Sequence, residues 1–163
     1  MTQNISADAF INPFPHIIFH NFYDDNELEL IWEELNFYTK PNKLFDVEDY
    51  NGVVGYTKAK ALQLDLIYPT KYRILSNILQ VTRKVFDKQI LEPFSNISDC
   101  CSQAKYCNWD VTKVRYYHNN DEYKPHTDRL FHFLAFSYFY RQPKKFSGGN
   151  LIFPKYDYEF TCD

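Results

Sequence analysis

Apolar and polar positions along this chain follow two different periods, and the change of period divides it in two. In the first part the spacing is helical. Asp24 and Asp25 offer an N-cap, and Leu28, Ile31, Trp32 and Leu35 follow at i, i+3, i+4 and i+7, on one face of a helix. A second, long helix is predicted from Pro69-Thr70 to about Leu91. Ile74, Ile78, Val81 and Val85 form its stripe, with Leu75, Leu79 and Phe86 beside it, at the spacing of core packing. Lys71, Arg73, Arg83, Lys84 and Lys88 are then its solvated face. Ahead of the first helix, Pro13 and Pro15 punctuate residues 12–23, and the β-branched and aromatic run that follows reads as a strand. His16 and His20 lie in it as surface or core histidines. Residues 40–60 are polar, with Pro41, Gly52 and Gly55, and read as loop and irregular strand. From about Val111 the period becomes two. Thr112–His118, Phe131–Tyr140, Asn150–Phe153 and Tyr156–Thr161 are the predicted strands. Helices first and strands afterwards predict an α+β domain, with helices packed on an antiparallel sheet.

Composition narrows the function classes. The 163 residues fit one domain. With 14 Tyr and 15 Phe beside four Gly, and no low-complexity tract, the chain has ample material for a packed core. A net charge of −3 argues against general nucleic-acid binding, which needs a positive surface excess. Met1-Thr2-Gln3-Asn4-Ile5-Ser6 lacks the regions of a signal peptide, and no apolar run approaches the ~18 residues that span a membrane. The expectation is a cytoplasmic protein with no membrane partner. Cys100, Cys101, Cys107 and Cys162 lack the paired spacing of a zinc site and read as reduced, structural thiols. The acceptor-like Asn96-Ile97-Ser98 carries no weight without a secretory signal.

Candidate chemistry concentrates in residues 114–128, which end in His126-Thr127-Asp128. Two residues apart on an extended chain, the imidazole and carboxylate share a face. Together they are two thirds of the facial site of non-haem Fe(II) oxygenases. Five histidines and 21 acidic residues would give about 0.6 such tripeptides by chance, so the context must decide. Tyr117, Asn120, Tyr123, His126 and Asp128 fall in one register, and a second block follows: Phe136-Ser137-Tyr138-Phe139-Tyr140, a polar loop, then Ser147-Gly148-Gly149-Asn150-Leu151-Ile152-Phe153.

In both blocks, and in Pro13-Phe14-Pro15-His16-Ile17-Ile18 followed by a helix, the chain resembles the Fe(II)- and 2-oxoglutarate-dependent dioxygenases of the prolyl 4-hydroxylase type, in their bacterial and phage forms. That family's pattern is Tyr-x-x-Gly-x-x-Tyr-x-x-His-x-Asp. Asn120 stands where the family has glycine, a mild departure because Asn also enters the left-handed region readily. The resemblance implies a double-stranded β-helix, or jelly roll, with residues 1–110 as a supporting strand and helix region and 111–163 as the first part of its core. It implies Fe(II) on His126 and Asp128, 2-oxoglutarate as cosubstrate with Tyr138 on its distal carboxylate, and ascorbate as an accessory. Tyr117 is implied beside the cosubstrate and Tyr123 in the substrate pocket, where plain strand packing is the alternative for all three tyrosines. Gly148-Gly149 is expected to form a turn of positive φ. The implied reaction hydroxylates a C–H bond of a peptide or small molecule, a prolyl residue among the choices, releasing succinate and CO2.

The family's second histidine, and the basic residue after it that pairs with the cosubstrate, come well downstream of the Gly-Gly. Only 14 residues follow Gly149, without His or Arg, so the last strands of the jelly roll are expected to be missing too. His132 and His118 are weaker replacement ligands, read first as packing residues. Two classes stay open: an oxygenase whose remaining strands lie outside these residues, and a non-catalytic remnant or binding module with two ligands. A zinc or copper binder of cupin type is a distant third. Missing strands would leave sheet edges and aromatic faces uncovered, so self-association, or a second chain supplying those strands, is expected.

Overall fold

The computed structural model describes residues 4–40, 42–46, 58–96, 99–104, 106–107, 109–128 and 134–161, with backbone alone at 45–46 and 99–101. It combines short helices with three small antiparallel sheets. Strands β1 (Ser6–Phe10) and β2 (His16–His20) form a hairpin in which Ser6 faces His20 and Phe10 faces His16. Helix α1 (Asp25–Tyr38) follows. Strands β3 (Phe45–Asp46), β4 (Lys60–Gln63) and β5 (Lys113–Tyr116) make a second sheet with β4 in the middle. Between β4 and β5 lie α2 (Leu64–Ile67), α3 (Asn77–Thr82), α4 (Lys88–Leu91) and α5 (Asp99–Ala104), linked in part by 3-10 turns. Strands β6 (Leu151–Phe153) and β7 (Tyr158–Phe160) close the described chain as a second hairpin. Among the described residues no helix is long and apolar enough to cross a membrane.

Helix α1 starts where its sequence says it should. Asp24 Oδ1 accepts the Glu27 N–H at 2.9 Å and Glu27 Oε2 accepts the Asp24 N–H at 2.9 Å, a reciprocal capping box. Its inward face buries Ile31 and Tyr38 against Leu62 of β4, Leu64, Ile78, Leu79 and Val114 of β5. Glu34, on that face, becomes a polar hub. Its carboxylate accepts from Tyr38 Oη at 2.6 Å, from Ser76 Oγ at 2.8 Å and from the Ile78 N–H at 2.8 Å. Ser76 is fully buried, so this hub satisfies groups that water cannot reach. Burial, and then the hydrogen bond to Glu34, push the Tyr38 hydroxyl far above its ordinary value.

The long helix expected over 69–91 is divided. Ser76 and Asp87 take extended backbone and cap new helices, accepting the N–H groups of Leu79 and Gln89 at 3.1 and 2.8 Å. Short polar side chains that bond the nearby backbone compete with continuation of a helix, and at both positions they prevail. The predicted stripe therefore splits: Ile78 and Leu79 are core, while Ile74 and Leu75 are exposed.

The segment 134–140, part of the predicted strand Phe131–Tyr140, is not paired as a strand. It docks sideways on α1 instead. Ser137 Oγ and Tyr23 Oη lie 2.7 Å apart, Phe139 meets the Tyr23 and Trp32 rings, and Arg141 stacks over Trp32 while donating to Asn36 Oδ1 at 3.0 Å. Residues 131–133, His132 among them, lie outside the described residues, as does most of the polar stretch 40–60. Gly148 and Gly149 take φ of +82° and +83°, the turn expected of them, and lead into β6.

The two hairpins are joined by rings. His16 stacks on Phe10 and meets Tyr158 and Phe160, while Phe14 packs on Phe153 and Tyr156. His20 pairs with Asp8 across the hairpin at 2.9 Å, so both N-terminal histidines serve packing and pairing. Cys107 is a free, exposed thiol; the side chains of Cys100 and Cys101, and all of Cys162, lie outside the described residues.

Candidate metal centre

Strand β5 carries the candidate site, and β5 is itself held from below. Its partner β4 fixes the register, with Lys60 facing Tyr116 and Gln63 facing Lys113. Just before β5, the Thr112 N–H donates to Asp65 Oδ2 at 2.8 Å, and Asp65 pairs with Arg73. Arg73 also bonds Asp110 at 2.9 Å, and Arg83 joins the same carboxylate. Burial pushes the Asp65 carboxyl above its ordinary value, against the Thr112 N–H that lowers it. Four charged groups thus clamp the entry to β5 onto the helices. Val114 faces the core, so Lys113 and Arg115 alternate to the opposite face.

Beyond Tyr116 the chain leaves the sheet in a tight turn. The Asp121 N–H donates to the His118 carbonyl at 3.1 Å, and Asp121 Oδ2 accepts the His118 N–H at 2.7 Å. Asn120 lies in the left-handed region at φ +66°, as its place in the motif predicted. His118 is held by this turn, with its Nδ1 3.4 Å from Asp121, and does not join His126. The chain rejoins the sheet when the Lys58 N–H donates to the Glu122 carbonyl at 2.8 Å.

Three interactions then set the His126 ring, all from nearby residues. Tyr123 stacks on it with centroids 4.0 Å apart and planes 23° apart. Its Nδ1 lies 2.9 Å from the Lys124 carbonyl. A carbonyl only accepts, so Nδ1 carries the proton, and in the neutral ring Nε2 holds the lone pair. Nε2 faces Asp128 Oδ2 at 3.5 Å. Two donors of electron pairs are thereby turned toward one another with their side chains 29% and 35% exposed, reachable from solvent.

On the near side Arg115 lies with its guanidinium carbon 4.1 Å from the Tyr123 ring centroid and donates to Tyr123 Oη at 3.3 Å. Burial alone would lower its pKa, but hydrogen bonds to the Tyr123 and Tyr117 hydroxyls raise it above the ordinary value. Burial, and then the Arg115 charge, pull the Lys113 amine down, with Asp128 opposing. So Tyr123, His126 and Asp128 come together, and with them Arg115, which the motif did not include. The available signal was the alternation Lys113-x-Arg115-x-Tyr117 on one face of a strand.

Tyr138 lies on a different element, the segment 134–140. It sits half-exposed on the segment docked against α1 between Ser137, which meets Tyr23, and Phe139, which meets Tyr23 and Trp32. Among the described residues no cluster of three or more His, Cys, Asp or Glu side chains surrounds one point, and His132 lies outside them. Compared with known proteins, the chain matches no family model, no curated protein and no solved structure.

Proposed function

We propose that this chain is an Fe(II)- and 2-oxoglutarate-dependent oxygenase of the prolyl 4-hydroxylase type, built on a double-stranded β-helix, with His126 and Asp128 as two of the metal's protein ligands. One observation carries the reading: the Lys124 carbonyl holds the Nδ1 proton, so the Nε2 lone pair is aimed beside the Asp128 carboxylate at 3.5 Å. An imidazole whose other nitrogen is fixed by a carbonyl is the usual outer support of a metal-binding histidine. A neutral nitrogen with one carboxylate suits Fe(II) and lowers the charge of the complex. When bound, iron and 2-oxoglutarate supply the oxidation of an unactivated C–H bond, with release of succinate and CO2. The chain's own part is to orient the ligands through Tyr123 and Lys124 and to offer Tyr117 and Tyr123 as aromatic walls with polar tips. The substrate class is a prolyl or other side chain of a peptide, or a small molecule.

A second reading, a binding module with two ligands and weak metal affinity, is favoured by the missing third ligand among the described residues. Anaerobic titration with Fe(II) and 2-oxoglutarate separates the two. The oxygenase reading expects the visible charge-transfer band of the chelate, and its loss in His126→Ala and in Asp128→Ala. Metal uptake without the band supports the binding module. No uptake at all overturns both.

A further inference from the structure

We infer that Arg115 is a positioning residue for the candidate metal centre: from the sheet it fixes the Tyr123 ring, and through that ring the plane of the His126 imidazole. The arrangement of these three side chains is independent of any metal. Its consequence for metal binding rests on the reading above.

The contacts that touch His126 directly are local, and the polar one leaves a freedom undefined. The bond from Nδ1 to the Lys124 carbonyl holds one corner of the ring. About that bond the imidazole can still turn, and turning swings Nε2 toward or away from Asp128 Oδ2, 3.5 Å off. The Nε2 lone pair lies in the plane of the ring, so the plane decides where it points. That plane is set by Tyr123, whose ring lies 4.0 Å from the imidazole and within 23° of parallel.

Tyr123 needs a fixed reference in its turn. It is 37% exposed, and an exposed ring held by a neighbour three residues away alone turns with that neighbour. Arg115 supplies the reference. It stands on β5 in register with Ala61 of β4, next to Val114 in the core, so its backbone is held from two directions. The Tyr123 backbone hangs from the same sheet. Lys58, two residues ahead of β4, donates its N–H to the Glu122 carbonyl at 2.8 Å.

Arg115 grips the ring at two points. Its guanidinium carbon lies 4.1 Å from the Tyr123 ring centroid, and its Nη2 donates to Tyr123 Oη at 3.3 Å. A planar cation over the face holds the tilt of the ring, and the bond at the tip holds its rotation. An ammonium would bring the charge without the plane. Arginine also keeps its proton at any working pH, so the grip does not titrate away. Arg115 is half-buried, which strengthens a contact of this kind. Arg115, Tyr123 and His126 thus form a relay from the sheet to the candidate ligand. If Arg115 merely packed on Tyr123, its loss would register in stability and leave the imidazole and the affinity per folded molecule untouched.

The test is NMR on the full, metal-free chain with isotope-labelled histidine, followed by calorimetry with Mn(II). A ring stacked on tyrosine has its proton signals displaced upfield by the ring current. The His126 ring signals, assigned with His126→Ala, are therefore expected upfield of free histidine, and Tyr123→Leu should return them to the free position. Arg115→Ala should remove most of the displacement and weaken Mn(II) binding about ten-fold per folded molecule, the scale of a lost outer support to a metal-binding histidine. Arg115→Lys keeps the charge and loses the plane, while Tyr123→Phe keeps the ring and loses the bond at its tip. Both should fall between wild type and Arg115→Ala, and they carry the test if circular dichroism shows Arg115→Ala unfolded. A displacement that depends on Arg115 in a chain that binds no Mn(II) keeps the relay, and the metal reading falls. A wild-type chain without the displacement, folded Arg115 variants that keep it in full, or variants that lose it with Mn(II) affinity unchanged, overturn the positioning role. The metal reading then survives wherever the wild-type chain binds Mn(II) and His126→Ala does not.

Discussion

The seam between α1 and α3 and the arm that carries His126 are built on opposite terms. At the seam, Ile31, Leu64 and Leu79 are fully buried and Glu34 ties two helices together through Ser76 and the Ile78 N–H. The partners there lie more than 40 residues apart in sequence. In the arm, every residue from Tyr123 to Asp128 is exposed, and the contacts that orient the imidazole come from within three residues. Stability therefore resides in the seam, and the proposed metal chemistry in the arm. Substitutions should separate the two.

The largest effect is expected at the seam. Ile31→Ala removes a fully buried side chain and should destabilise by about 3 kcal/mol, read from urea unfolding, with Mn(II) affinity per folded molecule unchanged. Metal affinity that falls with it would break the separation. Glu34→Ala comes next, at about 2 kcal/mol, because it strands the Ser76 hydroxyl and the Ile78 N–H inside the fold. A loss close to zero would mean that water enters the hub.

Asp65 lies between the two regions and gives a pH signature. Its carboxyl is raised by burial, so the folded chain holds that proton more tightly than the unfolded one. The resulting stabilisation is complete below the ordinary carboxylate pKa and is lost as pH rises through the raised folded value. Asp65→Asn should flatten that part of the curve of unfolding midpoint against pH. An unchanged slope would place the effect on another group.

The smallest effect on stability is expected in the arm itself. His126→Ala should cost under about 0.5 kcal/mol, since an exposed imidazole–carboxylate pair contributes little to folding. The same change should abolish Mn(II) binding in calorimetry. Destabilisation above 2 kcal/mol would show that the pair belongs to the core after all.

Much of this was legible in the chain because its causes are local. The Asp24 cap and the face Leu28, Ile31, Trp32, Leu35 announced α1, and period two announced β5, β6 and β7. Period two also put His126 beside Asp128. What escaped depends on distance or on competition. Strand β1 is short, three of its five residues are Ser or Ala, and it exists through its pairing with β2. The breaks at Ser76 and Asp87 arise from side chains that outbid helix continuation at two single positions. Arg115 meets Tyr123 only because the turn at 118–121 returns the chain to the sheet. The docking of Ser137 and Phe139 on Tyr23 and Trp32 likewise joins residues more than 100 apart in sequence.

The short reach of the contacts around His126 has a kinetic side. Bringing together groups two or three residues apart loses almost no chain entropy, whereas the Glu34 hub must wait for ends more than 40 residues apart to meet. Loops this small close in well under a microsecond, far ahead of tertiary assembly. The imidazole and its carboxylate neighbour are thus rehearsed in the growing chain before any core exists, and tertiary folding adds only what surrounds them.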